Sequence, residues 1–212
     1  MTTATPARPG KIVCVGRNYA AHARELGNDV PERPLLFFKP PSAVIGSGES
    51  IVLPKASAQV EYEGEIGVVI GTPLRRASEA AARAAVRGIV AVNDVTARDL
   101  QKSDGQWARA KGFDTFCPIG VEWTGPVDLD RLEVVTIVNG EERQRGHTGQ
   151  LVFPIPTLLA YISRIMTLEP GDVVATGTPA GVGPLRHGDV VEVVIPGVSR
   201  LMNPVLADDE EA

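Results

Sequence analysis

The sequence predicts a single α+β domain in which strands dominate. Three observations carry that prediction. The chain of 212 residues is long enough for one domain with a full core and short for two. Its 22 glycines and 17 prolines break it into many turns. Short apolar runs outnumber segments of helical period, and they lack the regular strand and helix alternation of a doubly wound sheet. No internal repeat or linker-like change of composition interrupts the pattern. The domain is expected over residues 11–206, with a flexible N-terminal segment 1–10 and an acidic tail 207–212.

Composition excludes several function classes. A hydrophobic fraction of 43% with 22% charged residues is ordinary for a globular chain. The 21 basic and 26 acidic residues give a formal charge of -5, with no basic stripe interleaved with aromatics, so no nucleic-acid partner is expected. Cys14 and Cys117 stand far apart in no CxxC or Cys/His grouping, which predicts neither a disulfide framework nor a zinc site. MTTATPARPG lacks a signal-peptide core, and no apolar run approaches the roughly 20 residues that span a bilayer. The reading is of a cytoplasmic protein with no membrane partner.

The elements follow in order. KIVCVG (11–16) is a buried strand, and Asn18 is placed to cap a short helix through NYAAHAREL to Gly27. That helix puts His22 and Glu25 three apart on one face. LLFF (35–38) and Ile51 to Leu53 are strands, and a longer one is expected from Val60 to Ile70. Ser78 caps an Ala-rich helix ending near Gly88, after which GIVAVND is a buried strand finishing at Asp94. A second helix begins at Thr96. Asn139-Gly140 is the strongest hairpin signal in the chain. A helix with Pro156 in its first turn runs to about Met166, and EPGD and HGD separate the closing strands.

The chemistry gathers around VEYEGEIGVVIG. The period of two along a strand puts Glu61, Glu63 and Glu65 on one face, neighbours about 6.6 Å apart. An isolated ExExE is equally a solvated edge. Here the strand runs on into an apolar stretch, where uncompensated negative charge is costly, and a bound cation would resolve the conflict. Asp94, after the apolar run IVAVN, is the candidate third ligand or else a turn aspartate. Oxygen-only ligation suits a hard cation, Mg²⁺ first and Mn²⁺ or Ca²⁺ next. His22 and Glu25 form either an exposed helical contact or a dyad in which the carboxylate orients an imidazole that takes a proton from water. His147 and His187 read as surface residues. TGTPAGVGP (176–184) fits neither a P-loop nor a dinucleotide fingerprint; it is a tight turn or a holder of an anion such as a carboxylate. Taken singly, Lys39, Lys111, Arg98 and Gln101 read as surface side chains.

Taken together, VGRNYAAH, LLFFKP, YEGEIGVVIG, NDVTARDLQ, AKGFDTFCPIG and ATGTPAGVG occur in an order that resembles the fumarylacetoacetate hydrolase superfamily, nearest its short acylpyruvase and oxaloacetate decarboxylase members. The resemblance runs from about Lys11 to Leu206. It implies a β-sandwich roll with a few short helices, assembled as a homodimer. It implies metal ligands Glu63, Glu65 and Asp94, with Glu61 a neighbour; a water-activating dyad of His22 and Glu25 on a helix that closes over substrate; and Lys111 near the reacting oxygens. Arg98, Gln101, Thr178 and Lys39 match positions that hold substrate. Longer relatives carry an N-terminal domain and a further aspartate ligand before the E-x-E strand, which this sequence does not show, and that favours the short subgroup.

The implied substrate is a small 2-oxo acid, and the implied reaction is Mg²⁺-dependent C–C cleavage. The ion chelates the C1 carboxylate and C2 oxo group, and breaking C3–C4 leaves pyruvate enolate, its charge stabilised by the metal and Lys111. Acylpyruvate hydrolysis and oxaloacetate decarboxylation both fit. Isomerisation, dehydration or decarboxylation of an aromatic-catabolism 2-oxo acid on the same site is the alternative, and a non-catalytic, metal-stabilised binding protein is the remote one.

Overall fold

The computed structural model describes residues 8–208. Of the expected flexible segment and acidic tail, residues 1–7 and 209–212 lie outside the described residues. Pro9 is buried and Ala207 belongs to the last strand.

In chain order the strands are β1 (Ile12–Gly16), β2 (Leu35–Lys39), β3 (Val44–Ile45), β4 (Ile51–Leu53), β5 (Val60–Tyr62), β6 (Gly64–Ile70), β7 (Val86–Asn93) and β8 (Thr96–Ala97). They continue with β9 (Cys117–Pro118), β10 (Glu133–Val138), β11 (Glu141–His147), β12 (Val173–Ala175), β13 (Gly183–Pro184), β14 (Val190–Ile195) and β15 (Ser199–Ala207). The helices are α1 (Ala20–Glu25), α2 (Glu79–Ala84), α3 (Arg98–Ser103), α4 (Ala108–Gly112) and α5 (Ile155–Ile165). Strand outweighs helix, as expected.

Two five-stranded sheets, β2-β1-β12-β6-β7 and β11-β10-β14-β15-β4, form the sandwich. Strand alternation sorts the first sheet's side chains onto two faces. Val13, Val15, Ile66, Val68, Ile70, Ile89 and Ala91 pack on one face against Val134, Val193, Ile195 and Leu201 of the second sheet. Ile12, Cys14, Val69, Val90 and Val92 form the other face, with Val44, Cys117 and Ile119 packed against it. Helix α5 closes the sandwich core through Ile155, Leu158, Leu159 and Ile162, all buried, at the i, i+3, i+4, i+7 spacing of an amphipathic helix.

The hairpin at Asn139-Gly140 forms as the sequence predicts. Both residues have positive φ, 52° and 81°, as a type I′ turn between β10 and β11 requires.

Four expectations are corrected. The single strand 60–70 is two: the chain breaks at Glu63, β5 joining a small sheet with β8 and β13 while β6 stays in the large one. The break lets neighbouring residues serve two sheets, which periodicity along one strand cannot reveal. Asn18 does not cap α1, whose N-cap is Tyr19. Asn18 is fully buried, donating to Phe153 O and Thr176 O and accepting from Phe153 N, so tertiary hydrogen bonds win over the cap. Helix α2 ends at Ala84, and β7 starts at Val86, because Gly71 and Ile70 pair with that segment. The helix expected from Thr96 starts at Arg98, since Thr96 and Ala97 pair with β5.

Candidate functional site

The register of the large sheet assembles the acidic cluster. In the β6–β7 ladder Gly64 opposes Asn93 and Glu65 opposes Val92, so one step beyond it Glu63 faces Asp94, whose N–H donates to Glu63 O at 2.8 Å. Opposed residues share a face and so do residues two apart. Glu63, Glu65 and Asp94 therefore converge, one carboxylate oxygen from each lying within 4.8 Å of the other two. All three are buried. Between the two glutamates only glycine fits, because a Cβ on Gly64 would lie 1.9 Å from Thr136 Oγ1.

Buried cations surround the cluster. Lys111 Nζ donates to Glu63 Oε2 at 2.8 Å and Asp94 Oδ2 at 2.7 Å. Arg98 donates from Nη2 to Glu63 Oε1 at 2.5 Å and from Nε to Glu61 Oε2 at 2.8 Å. Glu61 thus serves as Arg98's second carboxylate, outside the three-oxygen group. Arg98 Nη1 also donates to Gln101 Oε1 at 2.5 Å. None of Lys39, Lys111 and Arg98 is a surface side chain.

Four carboxylates face three cations here, and the titration of the glutamates reflects that imbalance. Burial alone would raise the Glu63 carboxyl, but Lys111, Arg98 and His22 outweigh it and hold Glu63 well below the usual carboxylate range. Glu65 goes the other way. Burial, then the charges of Asp94 and Glu63, push it well above the ordinary value, although Gly177 N–H and Lys111 partly offset them. Asp94 Oδ1 lies 2.9 Å from Lys39 Nζ, yet no hydrogen bond is directed at it. A compact all-oxygen donor set with excess negative charge and an acceptor lacking a hydrogen bond fits a hard divalent cation.

The Gly-rich loop 176–184 holds carboxylates that belong to the protein itself. Gly177 N–H donates to Glu65 Oε2 at 2.8 Å and Gly181 N–H to Glu25 Oε1 at 3.0 Å. Both glycines have φ above 100°, a region L side chains rarely adopt. Glu25 Oε2 in turn lies 3.3 Å from His22 Nδ1. His22 is buried while the Glu25 side chain is 34% exposed. The loop thereby ties the dyad and one acidic ligand candidate to a single backbone segment.

One cleft is lined by His22, Glu63, Glu65, Asp94, Arg98, Gln101, Lys111 and Thr178, together with Val15, Gly16, Arg17, Phe37 and Trp107. Glu25 braces His22 from behind. Lys39 does not line the cleft: its amino group donates to Val95 O at 2.9 Å and Lys111 O at 2.6 Å and pairs with Asp94. Its place is beside Asp94, outside the cleft lining. Thr178 Oγ1 donates to Gly64 O at 2.9 Å and accepts from Gln144 Nε2 at 2.8 Å. His147 and His187 are exposed.

Sequence reasoning missed Gln144, Arg17 and Trp107. Gln144 also accepts from Gly64 N at 3.0 Å, so it braces the backbone between the two glutamates. The signal for it was an amide at an inward position of an otherwise polar strand. Arg17 stood inside VGRNYAAH without an assigned role.

The fumarylacetoacetate (FAA) hydrolase C-terminal family matches residues 11–206. The chain belongs to the fumarylacetoacetate hydrolase family. Within that family it is 50% identical over 208 residues to an uncharacterized protein of Pyrococcus horikoshii, covering 95% of this chain and 90% of the relative. It is 45% identical over 197 residues to the mitochondrial oxaloacetate tautomerase of Arabidopsis thaliana, covering 90% of this chain and 88% of that one. The crystal structure of 5-carboxymethyl-2-hydroxymuconate delta-isomerase from Mycobacterium smegmatis superposes with a TM-score of 0.91 at 45% identity, covering 98% of this chain and 83% of that one. The fold of this family is the mostly β architecture described above. No helix among the described residues is long and apolar enough to cross a membrane.

Proposed function

We propose that the cleft enolises small 2-oxo acids, and that keto–enol tautomerisation of oxaloacetate is the reaction it suits best. The observation that carries this reading is the convergence of a braced, buried imidazole, His22, on the same cleft as the three-carboxylate cluster and Lys111. The names of two relatives support it: one is an oxaloacetate tautomerase and the other an isomerase of a 2-hydroxymuconate. Both reactions move a proton between a carbon and a 2-oxygen.

Glu63, Glu65 and Asp94 would hold the divalent ion, Mg²⁺ before Mn²⁺ or Ca²⁺. When bound, that ion would supply Lewis acidity that favours enolisation of a 2-oxo acid. The chain's own residues do the rest. His22 takes a proton from C3 through Nε2 while Glu25 fixes the ring by its contact at Nδ1. Lys111, kept cationic by Asp94 and Glu63 despite the opposing effect of burial, stabilises negative charge as it develops at the 2-oxygen. The proton returned to that oxygen completes the enol.

A second reading, C–C cleavage by acylpyruvate hydrolysis or oxaloacetate decarboxylation, draws support from the partly exposed Glu25, through which the dyad can hold a water. The two are separated by following enol absorbance and pyruvate release from oxaloacetate and an acylpyruvate, with and without EDTA. Enol interconversion that outpaces pyruvate release and fails in EDTA is the expected result; pyruvate as the sole catalysed product would overturn the tautomerase reading in favour of cleavage. His22→Ala should slow interconversion by about 10²-fold or more. The homodimer is part of the proposal, and sedimentation velocity tests it.

A further inference from the structure

Three basic side chains lining the cleft have partners within the protein. Arg98 is bound to Glu61, Glu63 and Gln101, Lys111 to Glu63 and Asp94, and His22 to Glu25. Arg17 also lines the cleft, and it makes no ion pair or side-chain hydrogen bond with any described residue. A guanidinium stays charged at all working pH and grips a carboxylate through two parallel hydrogen bonds.

The backbone at this position gives a second, independent indication. Four non-glycine residues among those described have positive φ, and Arg17, at 57°, is the one of them that lines the cleft. Glycine or asparagine adopts that conformation with less strain. A strained residue that persists beside a site points to a use for its side chain. The neighbouring wall is apolar: Phe37 and Trp107 meet edge to face with centroids 5.1 Å apart, and Trp107 packs so closely on Gly16 that an added Cβ would lie 3.1 Å from its ring. An ion pair formed against such an apolar wall is stronger than one in bulk water.

We propose that Arg17 docks the distal carboxylate of a 2-oxo dicarboxylic acid and so sets the enzyme's preference for dicarboxylic over monocarboxylic substrates. This rests on the reading of the cleft as a 2-oxo acid site. The acidic cluster and Lys111 mark the C1 end of the cleft, and Arg17 takes the far end.

Oxaloacetate and 2-oxobutanoate provide the test, because they share a four-carbon chain and differ only in a distal carboxylate against a methyl group. Affinity in the presence of Mg²⁺ is measured by calorimetry, and exchange of the C3 protons with deuterated solvent gives kcat and KM for each acid. Arg17→Gly removes the charge and the backbone strain together, so its Tm should equal or exceed that of the unaltered protein. Its affinity for oxaloacetate should fall roughly ten- to hundredfold, its affinity for 2-oxobutanoate should stay within about twofold, and Arg17→Lys should recover part of the loss. Equal weakening toward both acids, or none toward oxaloacetate, would overturn the assignment of Arg17 while leaving the 2-oxo acid reading intact. If the unaltered protein bound neither acid, the reading itself would fall, and this proposal with it.

Discussion

Lys39→Met tests how the acidic cluster is supported from outside the cleft lining. The Lys39 amino group is fully buried, donates to the carbonyls of Val95 and Lys111, and pairs with Asp94. Methionine fills a similar volume and makes none of these contacts. Each orphaned buried carbonyl costs about 1–3 kcal/mol, and removing one partner of a buried ion pair costs about 3–5 kcal/mol. The losses overlap, because one group makes all the contacts, so the expected destabilisation is about 3–6 kcal/mol. With a urea slope of roughly 3 kcal/mol per molar, the unfolding midpoint drops by about 1–2 M. The variant also leaves the cluster more negative. Mg²⁺ should therefore bind it more tightly and raise its midpoint by more than it raises that of the unaltered protein. The assay is urea unfolding followed by tryptophan fluorescence, in EDTA and in Mg²⁺. A loss below about 1 kcal/mol in EDTA, or a smaller Mg²⁺ response than the unaltered chain shows, would refute this account of Lys39.

Other perturbations read different parts of the site. Asp94→Asn should abolish catalysis and weaken Mg²⁺ binding by at least about tenfold in calorimetry; retained affinity would remove Asp94 from the ligand set. Gly64→Ala forces a Cβ to within 1.9 Å of Thr136 Oγ1 and should destabilise by about 1–3 kcal/mol or more, with Thr136→Ala in the same chain restoring a measurable part; strict additivity of the two changes would contradict the clash. The pH dependence of the metal-free protein follows from the glutamates. Glu65 keeps its proton in the folded chain to a higher pH than in the unfolded chain, so its contribution to stability declines as pH rises past about 4.3. Glu63 contributes above that pH and loses its contribution as pH falls toward its depressed folded value. Glu65→Gln should flatten the decline on the alkaline side, which thermal unfolding across pH in EDTA would reveal; an unchanged slope would mean that another group governs it.

The outline of the fold was legible because its signals are local. Alternating apolar residues, the Asn139-Gly140 turn and the i, i+3, i+4, i+7 face of α5 each depend on residues close in sequence. The acidic cluster was partly legible for the same reason, since two of its members lie two apart. The break at Glu63 was not legible, because it arises where β5 leaves for a different sheet. Asn18 looked like a cap for want of any local sign that Phe153 and Thr176 would compete for its amide.

The sequence by itself determined which chemical groups were present and which neighbours they kept: carboxylates two apart, a histidine three residues before a glutamate, glycines where the backbone had to turn sharply. Only the tertiary structure decided what those groups face. Register carried Asp94 across to Glu63, burial turned Lys39, Lys111 and Arg98 from surface cations into partners of the acidic cluster, and Arg17 was placed in the cleft with no ion-pair partner among the described residues. The physical reason is that charge interactions depend on distance and on the surrounding medium. Both are set by chain segments far apart in the sequence.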